Sequence, residues 1–488
     1  MVSPLLFSLL SLLPQQEAER RTPQESDFYR IITLENPKDT PLEVSGLAIL
    51  EDGRPMVATR RGEVFVLENA YTPDGQGVRY KLFADGLHEP LGLLPLEGWI
   101  YCTQRGELSR MRDRDGDDRV DDIETVCESW RISGNYHEYN FGPRLGPEGK
   151  LWITTNKPFG EAPFGDVKWR GFALRIGLDG EMQPTSAGLR SPAGLQNSPW
   201  GDMFYTDNQG EWCGASKLSH LEPGDFHGHP WGLESCELPE WKHTVPKAPP
   251  DGQPMAEVAK THPSFKLPAV WFPYDKMGKS PAGMVWDTTE GGFGPFSGQL
   301  FVADQHHASL MRVDLERING HWQGACFPFR EGFQCGTLRV AWGKDDSLFV
   351  GETNRGWGSK GTATEGLERL QWTGKLPFEV LSMEALSDGF RLRFTEEADP
   401  KTASSPSSYA FSSYTYLLHS PYGSPEVHTE ELEVQAVRLA QDRLSVELRI
   451  KGLRAGYVHE LHADGVRSAK GHGLLHPEAY YTLIEIPK

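Results

Sequence analysis

One pattern of apolar and polar positions recurs six times along the chain. Each copy is a short apolar run, a turn rich in Gly, Asp and Pro, and a second apolar run that ends on a polar residue. This is the pattern of a tight β-hairpin. The copies begin at Gly46, Gly92, Arg144, Gly194, Gly283 and Arg339. Their period of about 45 to 55 residues, with one longer insertion, is the size of a propeller blade, so the repeat predicts a six-bladed β-propeller.

The alternative for these hairpins is a β-sandwich with coincidental turns, which requires no periodic self-similarity. Composition favours an all-β class in either case. The 488 residues include 52 Gly and 36 Pro, and long stretches of helical period are hard to find. The formal net charge of -19 argues against nucleic acid and against an anionic membrane surface, because both demand a basic patch.

The repeat stops after Lys375, and the composition changes there. Segments such as FRLRFT, LEVQAVRL and LSVELRI alternate apolar and polar residues between turns. This alternation predicts an antiparallel β-sandwich for packing or docking, with an immunoglobulin-like topology as the default. The predicted domains are a leader over residues 1–24, a propeller over residues 25–376 and a sandwich over residues 377–488.

The leader contains LLFSLLSLL, which is too short to span a bilayer but suits the apolar region of a signal peptide. No Lys or Arg precedes it, and no clear cleavage site follows. We expect a secreted or periplasmic protein with no membrane span. The cysteines pair within single blades, if disulfides form, as Cys102 with Cys127, Cys213 with Cys236 and Cys326 with Cys335.

An acidic loop lies between the second and third repeats. Carboxylates at positions one, three, five, nine and twelve of this loop have the spacing that Ca²⁺ requires. They are Asp113, Asp115, Asp117, Asp121 and Glu124. Asp118 stands where an EF-hand has glycine and no helices flank the run, so we expect a structural Ca²⁺ loop in a blade. A merely solvated acidic hairpin is the alternative.

Aligning the repeats predicts which side chains share one end of the ring. The second runs end on Thr59, Thr103, Thr155, Asp207, Asp304 and Glu352. In an antiparallel pair, the end of the second strand lies beside the start of the first. The residues just before the first strands therefore belong to the same mouth, and they include His137, Asn140, Arg190 and Lys279.

A mouth with three carboxylates, a histidine and an arginine indicates a ligand or catalytic site. Polar residues that only hydrate a central channel are the alternative. His137 is a candidate general base, since histidine titrates near neutrality, or else a hydrogen-bonded loop residue. Arg355 either clamps a carboxylate or pairs with Glu352. His306 and His307 point opposite ways in an extended segment, so at most one of them faces the mouth.

The segments after the second runs are rich in Gly, Asn and Trp, as ligand-facing loops tend to be. They read DNQGEW from Asp207, DQHH from Asp304 and ETNRGWGSKG from Glu352. Tryptophan beside polar groups is suited to stacking on sugar rings, so we expect a small-molecule or carbohydrate substrate. In GDFHGHPWG, His227 and His229 either bind a metal with Asp225 or belong to a rim loop.

The stretch HEYNFGPRLGPEGKLW resembles a signature of the soluble quinoprotein glucose/sorbosone dehydrogenases, and LRSPAGL is similar to their Arg-Asn-Pro-x-Gly-Leu strand entry. Those are six-bladed propellers that use pyrroloquinoline quinone (PQQ) and Ca²⁺. From about Phe28 to Lys488 the chain also resembles secreted planctomycete-type predicted dehydrogenases, through TDNQGEW, GDFHGHP, GACFPFREGF and TNRGWGS.

The quinoprotein resemblance implies that His137 is the catalytic base and Arg190 a cofactor-contacting arginine. Ser191 stands where that family has asparagine. The family's cofactor lysine falls near His306, and its later cofactor arginines fall near Gly336 and Leu338. Arg339, Arg355 or Lys279 are candidates to replace these missing cations.

The resulting hypothesis is a sugar or alcohol oxidoreductase whose cofactor, or a mouth Ca²⁺, is held by the residues named so far. The cofactor-binding candidates are Arg190, Asp207, Asn208, Gly210, Asp304, His306, Glu352 and Arg355. Two other classes stay open: a metal-dependent, gluconolactonase-like hydrolase at Asp207, Asp304 and Glu352, and a non-catalytic carbohydrate-binding or scaffold protein.

Overall fold

The computed structural model describes residues 22–160 and 167–488, so the predicted leader lies almost wholly outside the described residues. Helices are few and short: α1 (Glu25–Phe28), α2 (Met255–Thr261), α3 (Pro400–Ala403) and the 3-10 turns Leu233–Glu237 and Pro406–Ser408. Across the described part of the chain, no helix is long and apolar enough to cross a membrane. The all-β prediction is confirmed.

Five four-stranded antiparallel sheets form blades. Blade one contains β2 (Val44–Ile49), β3 (Pro55–Thr59), β4 (Val64–Glu68) and β5 (Arg79–Ala84). Blade two contains β6 (Leu93–Leu96), β7 (Trp99–Thr103), β8 (Leu108–Arg112) and β9 (Asp122–Cys127). Blade three contains β10 (Asn140–Leu145), β11 (Leu151–Thr155), β12 (Phe172–Ile176) and β13 (Met182–Ala187). Blade four contains β14 (Pro192–Asn197), β15 (Met203–Asp207), β16 (Ser216–Leu221) and β18 (Val270–Phe272). Blade six contains β23 (Thr337–Trp342), β24 (Leu348–Thr353), β25 (Glu365–Trp372) and the N-terminal strand β1 (Tyr29–Thr33).

A large eleven-stranded sheet completes the ring. Its first four strands, which we call blade five, are β19 (Pro281–Trp286), β20 (Leu300–Asp304), β21 (Ser309–Ile318) and β22 (His321–Arg330). Strand β19 contacts β14 on one side and β23 on the other. The circle closes because β23 contacts β2, β2 contacts β6, β6 contacts β10 and β10 contacts β14. The predicted hairpins are thus the two innermost strands at each of the six positions.

Blade five is not a separate blade, because β22 pairs with the last strand of the chain, β33 (Glu478–Leu483). From β33 the sheet continues through six more C-terminal strands. In spatial order they are β32 (Tyr457–His462), β28 (Ala410–Thr415), β30 (Val427–Leu439), β31 (Ser445–Lys451), β27 (Gly389–Phe394) and β26 (Val380–Leu386). A ring of six independent blades is therefore confirmed only in part.

The C-terminal strands share one apolar core, which includes Phe390, Leu392, Phe411, Leu448 and Tyr481. Strand β30 pairs with β28 along its first half and with β31 along its second half. A short ladder between β17 (Gln253–Pro254) and β29 (Leu417–Leu418) ties this region to the long connection inside blade four. The C-terminal strands are therefore packed onto blades four and five.

Inner strands approach closely where the ring is narrow. A Cβ atom on Gly92 would lie 1.8 Å from the carbonyl oxygen of Gly142, and one on Gly194 would lie 2.0 Å from that of Ala282. No real Cβ tolerates such distances, so glycine is needed at both positions. The cysteines contribute to the packing as well, because all six are buried free thiols and none of the predicted pairs forms a disulfide.

Candidate active site

A cavity of about 260 Å³ lies at the predicted mouth of the ring. The strand ends meet there as expected, since Val44 pairs with Thr59 and Pro192 with Asp207. The cavity is lined by aromatic rings, four cations and amide or hydroxyl groups. Its polar and aromatic lining includes Arg60, Tyr136, His137, Tyr139, Phe141, Asn156, Phe159, Arg190, Ser191, Asn208, Lys279, Ser280, Gln305, Arg355, Trp357 and Tyr422.

His137 is held at this cavity on both edges of its ring. Its Nδ1 lies 2.8 Å from the carbonyl oxygen of Lys157, and its Nε2 lies 3.1 Å from Oγ of Ser191. The ring stacks on Phe159, with centroids 3.2 Å apart, and only 6% of the residue is exposed. Because a carbonyl oxygen only accepts hydrogen bonds, Nδ1 carries the proton and Nε2 presents its lone pair.

His137 is neutral at physiological pH. Burial, together with repulsion from the Arg190 and Lys157 cations, holds the pKa of His137 well below its ordinary value. An imidazole with a fixed tautomer and an unprotonated Nε2 can accept a proton from a hydroxyl group. The candidate general base therefore has the protonation state that this role requires.

Ser191 connects the imidazole to two amides. Its hydroxyl donates to Nε2 of His137 and accepts from Nδ2 of Asn156 at 3.3 Å and of Asn208 at 3.4 Å. The Oδ1 atoms of Asn156 and Asn208 are buried and have no hydrogen-bond partner within the described residues. Two acceptors at the cavity wall are thus left for a ligand, which suits hydroxyl donors or a cation.

Four cationic side chains line the cavity, and each is held by a carboxylate. Arg60 pairs with Glu89, Arg190 Nε with Glu211 at 3.0 Å, Lys279 with Asp275 at 2.9 Å and Arg355 with Glu43 at 3.0 Å. None of these carboxylates is among the lining residues. The cations therefore face the cavity with their partners behind them, which favours an anionic ligand.

Arg190 is clamped between blade three and the C-terminal region. Its guanidinium lies 4.6 Å from the ring centroid of Phe159 and 5.2 Å from that of Tyr422. A Cβ atom on Gly210 would lie 1.6 Å from Nε of Arg190, so this glycine makes room for the arginine. The predicted residues Arg190 and Gly210 thus belong to one arrangement, to which the C-terminal region contributes Tyr422.

The carboxylates of Asp207 and Asp304 serve the backbone. Asp207 accepts the N–H groups of Arg190 at 3.1 Å and Ser191 at 2.7 Å. Asp304 accepts those of Lys279 at 2.7 Å, Ser280 at 2.8 Å and His307 at 2.9 Å. Both side chains are buried below the cavity wall. They position the residues that line the mouth and do not themselves line it.

Glu352 is also buried away from the cavity. Its two carboxylate oxygens have no hydrogen-bond partner within the described residues. Burial, and then the neighbouring Glu368, raises the pKa of Glu352 well above its ordinary value. The three predicted carboxylates Asp207, Asp304 and Glu352 thus do not converge on a common metal position in the cavity.

Arg339 closes the central channel beneath the mouth. Its guanidinium donates to the carbonyl oxygens of Ser45, Leu91 and Ala193, which belong to three other blades, at 2.8 to 3.0 Å. It also lies 4.8 Å from the ring centroid of Phe141. Arg339 is therefore a structural residue of the ring and cannot replace a missing cofactor cation.

The remaining mouth candidates lie near the rim. Nδ1 of His306 bonds the carbonyl oxygen of Gly358 at 2.9 Å, so this residue faces the rim loop after β24. His306 and His307 lie in a turn instead of an extended segment. The prediction that they point opposite ways therefore loses its basis. Arg355 pairs with Glu43 and not with Glu352.

The acidic loop of blade two gathers three of its five predicted calcium ligands. One carboxylate oxygen each of Asp113, Asp115 and Asp117 lies within 4.8 Å of the others. Asp121 instead accepts the backbone N–H of Arg114 at 2.7 Å. Glu124 lies 2.6 Å from Arg110 on the neighbouring strand. Bound Ca²⁺ stays a prediction, but Asp121 and Glu124, at the ninth and twelfth positions of the loop, do not lie with the other three carboxylates.

Asp118 explains why this loop tolerates aspartate at the glycine position of an EF-hand. Its φ angle is 67°, the left-handed conformation that glycine usually supplies. Its carboxylate binds Arg54 of blade one at 2.8 Å through both oxygens. The hydrogen bond to Arg54 lowers the pKa of Asp118 to about 2. The loop therefore fastens blade two to blade one.

The second metal hypothesis concerned Asp225, His227 and His229. Asp225 pairs with Lys266 at 3.4 Å, and both imidazoles are buried. Among the described residues, the ligand atoms of Asp225, His227 and His229 do not lie close enough together to bind one metal ion. The arrangement fits the alternative of a packed rim loop.

Several lining residues were missed at the sequence level. Phe159 and Tyr422 come from segments without a repeat or motif around them. Arg60, in contrast, directly follows the predicted strand end at Thr59, so the repeat alignment already places it at the mouth. Tyr422 could not be assigned, since its place at the mouth depends on how the C-terminal strands dock on blade four.

A family model described as a domain of unknown function (DUF7133) matches residues 36–228. No curated protein matches the chain in sequence. Among solved structures, the chain is similar to an oxidoreductase (glucose dehydrogenase) of Thermus thermophilus, with a TM-score of 0.50 and 20% identity over 70% of this chain and 99% of that one.

Two further structures share the fold. The PQQ-bound aldose sugar dehydrogenase of Streptomyces coelicolor matches with a TM-score of 0.50 and 18% identity, over 72% of this chain and 100% of that one. A Trichoderma reesei protein of Carbohydrate-Active Enzymes Family AA12 matches with a TM-score of 0.50 and 12% identity, over 72% and 98% of the two chains. At these identities, the likeness establishes that this chain shares the fold of those three structures, and it establishes the fold alone.

Proposed function

We propose that the protein is a secreted oxidoreductase that oxidises a sugar or another alcohol with a planar, anionic quinone of the PQQ type bound at the mouth of a six-bladed propeller. The observation that carries this proposal is the neutral His137, whose Nε2 lone pair lies at a cavity lined by four cations. The shared fold with a PQQ-bound aldose sugar dehydrogenase supports it.

The cavity residues fit a quinone with several carboxylates. Arg60, Arg190, Lys279 and Arg355 supply positive charge, and Tyr422 and Trp357 supply flat apolar surface. The unpartnered Oδ1 atoms of Asn156 and Asn208 suit substrate hydroxyls or a cation. A mouth Ca²⁺ held by Asp207 fits less well, because backbone N–H groups already occupy that carboxylate.

The quinone, when bound, supplies an acceptor for the two electrons that leave the substrate carbon as hydride. The chain supplies the base. The substrate O–H bond breaks as its proton passes to Nε2 of His137, either directly after the Ser191 hydroxyl turns away or through that hydroxyl. The Nδ1–H bond to Lys157 keeps the imidazole oriented and stabilises its protonated form.

The test is reconstitution of the purified protein with PQQ and Ca²⁺, followed by quinone absorbance and dye reduction with a panel of sugars. His137→Ala should lower turnover by about 10² to 10⁴-fold and leave quinone binding intact. His321→Ala is the matched control, because this histidine is exposed at the start of β22. Absence of both quinone binding and dye reduction would refute the proposal.

Metal-dependent lactone hydrolysis is the second candidate. It would need a metal held by Asp207, Asp304 and Glu352, but these carboxylates lie below the cavity wall and do not converge, so the structure favours it less than the oxidoreductase. Lactone hydrolysis that requires metal and survives His137→Ala would promote it. Retention of glycans without either activity would favour a binding protein.

A further inference from the structure

We propose a second site, at the rim of the mouth in blade five, that binds a zinc-type cation through Asp275, His306 and His307. One ligand atom from each of these residues lies within 4.8 Å of the others. Nε2 of His307 lies 3.7 Å from Oδ1 of Asp275. This site is separate from the cavity that holds His137 and does not depend on the proposed quinone.

An unsatisfied buried atom points to a ligand at this position. His307 is only 8% exposed, and its Nε2 is buried with no hydrogen-bond partner within the described residues. Leaving such a nitrogen buried without a partner is unfavourable. A cation between Nε2 of His307 and the Asp275 carboxylate would satisfy both groups.

The Nδ1 atom of each imidazole faces the kind of oxygen that usually orients a metal-binding histidine, and that of His306 is within hydrogen-bond distance of it. Nδ1 of His306 donates to the carbonyl oxygen of Gly358 at 2.9 Å. Nδ1 of His307 faces the Asp304 carboxylate at 3.8 Å. Carbonyl and carboxylate partners of this kind leave Nε2 free to bind a metal. Asp304 also accepts the backbone N–H of His307, which fixes the turn that carries both imidazoles.

The donor set selects the class of cation. Two imidazoles and one carboxylate suit Zn²⁺, and also Co²⁺ or Ni²⁺, whereas Ca²⁺ requires six or more oxygens, as a rule. Bonds of about 2.0 to 2.1 Å in tetrahedral geometry place two ligand atoms about 3.3 Å apart. The observed 3.7 Å between His307 and Asp275 requires only a small contraction. Three protein ligands leave a fourth position open.

Lys279 competes with a cation for this site. Its ammonium lies 2.9 Å from the same Oδ1 of Asp275, and its side chain lines the cavity. A bound metal would take over that oxygen and release Lys279 toward the cavity. Removing the ammonium should therefore strengthen metal binding, an effect opposite to that of removing a ligand.

The experiment is calorimetric titration of the chelator-treated full-length protein with Zn²⁺, with Ca²⁺ titrated in parallel. Asp275→Asn and His306→Gln change residues that are exposed or half-buried, so both variants should fold. Each should weaken the tightest Zn²⁺ site by roughly 100-fold or more, since loss of an outer-shell partner alone weakens metal binding about 10 to 100-fold. Lys279→Met should tighten that site, and Ca²⁺ should not occupy it.

His321→Gln, an exposed histidine on β22, is the control and should leave the titration unchanged. Titration with Co²⁺ gives an independent readout, because its visible absorption reports a nitrogen and oxygen ligand field that the Asp275→Asn and His306→Gln proteins should lose. Wild-type zinc affinity and stoichiometry in both variants would overturn the proposal. Weaker binding by Lys279→Met would contradict the competition.

Discussion

Blades four and five use the same device at the mouth and carry different chemistry on it. In each blade an aspartate at the end of the second strand accepts two backbone N–H groups from the residues before the first strand. In blade four these residues are Arg190 and Ser191. In blade five they are Lys279 and Ser280. We call this device the aspartate latch.

The side chains that the two latches present differ in direction and partner. Blade four directs Ser191 to His137 and clamps Arg190 against Tyr422. Blade five directs Lys279 to Asp275, beside the His307 imidazole. The comparison teaches that the repeat conserves backbone geometry within this chain, whereas the adjacent side chains set the chemistry of each position.

The largest expected effect comes from removing a latch. Asp304→Ala leaves three N–H groups without their acceptor and Asp207→Ala leaves two, at about 1–3 kcal/mol for each buried group. Both variants should have a lower free energy of unfolding in denaturant titrations, with Asp304→Ala the less stable. Asp464→Ala, at an exposed aspartate, should change it by less than about 0.5 kcal/mol. Equal free energies of unfolding for all three variants would contradict the role of Asp207 and Asp304 as acceptors that stabilise the two blades.

The stability of the fold should decrease in acid because blade four contains a buried histidine. Burial, and then repulsion by Lys217, holds the pKa of His227 well below its ordinary 6.5. Below pH 6.5 the imidazole of His227 therefore binds a proton in the unfolded chain but not in the folded chain. The free energy of unfolding falls as the pH drops below 6.5. The slope for one histidine is about 1.4 kcal/mol per pH unit until the folded pKa is reached.

The measurement is the free energy of unfolding as a function of pH, compared between wild type and His227→Leu. Burial raises the pKa of the nearby Asp225 to about 7, and this group stabilises the fold as the pH falls, with the opposite sign. Subtracting the two proteins removes that contribution. The variant should lose less stability between pH 6.5 and 5, whereas His321→Gln should follow wild type. A wild-type slope in His227→Leu would contradict the burial of a neutral imidazole.

The cations of the two latches should differ in their importance for an anionic ligand. Arg190→Met removes a guanidinium held between two aromatic rings and should weaken PQQ binding about 10 to 100-fold, as expected for a charge-assisted hydrogen bond. Lys279→Met should weaken it less, because this ammonium is held by the exposed Asp275. Fluorescence titration with PQQ measures both. A larger loss of PQQ affinity with Lys279→Met would show that blade five, and not blade four, supplies the more important cation.

The smallest effect concerns the two latch serines. Ser191→Ala removes the hydroxyl on Nε2 of His137 and should change dye-reduction turnover by about tenfold or less, since one hydrogen bond contributes about 0.5–1.5 kcal/mol. Ser280→Ala should have no effect on turnover, because its hydroxyl does not reach the imidazole. Equal effects of the two changes would show that Ser191 has no special relation to His137.

Much of the ring could be predicted from periodicity. The hairpins at Gly46, Gly194 and Arg339 became the inner strands of their blades, and the predicted strand ends at Thr59, Thr155 and Asp207 are observed. Hairpin patterns are local, so residues close in sequence suffice to predict them. Fusion of blade five with the C-terminal strands was not predictable in this way, because pairing of β22 with β33 joins distant segments.

The candidate site was predictable in position and less so in detail. His137 and Arg190 lie at the mouth because their places before a first strand follow from the repeat. The predicted metal-binding roles of Asp207 and Asp304 fit the structure poorly, because a carboxylate beside two free backbone N–H groups binds them first. Sequence periodicity does not show which N–H groups lack partners.

The sequence by itself determined the inner hairpin of each blade, the end of the ring at which polar side chains collect, and the presence of a histidine there. Only the tertiary structure decided that this histidine is neutral, with Nδ1 on the Lys157 carbonyl and Nε2 toward the cavity. It likewise decided that Tyr422 completes the wall and that His307 faces Asp275. Tautomer, desolvation and contacts between distant segments depend on three-dimensional packing, which a hydrophobic pattern along the chain does not contain.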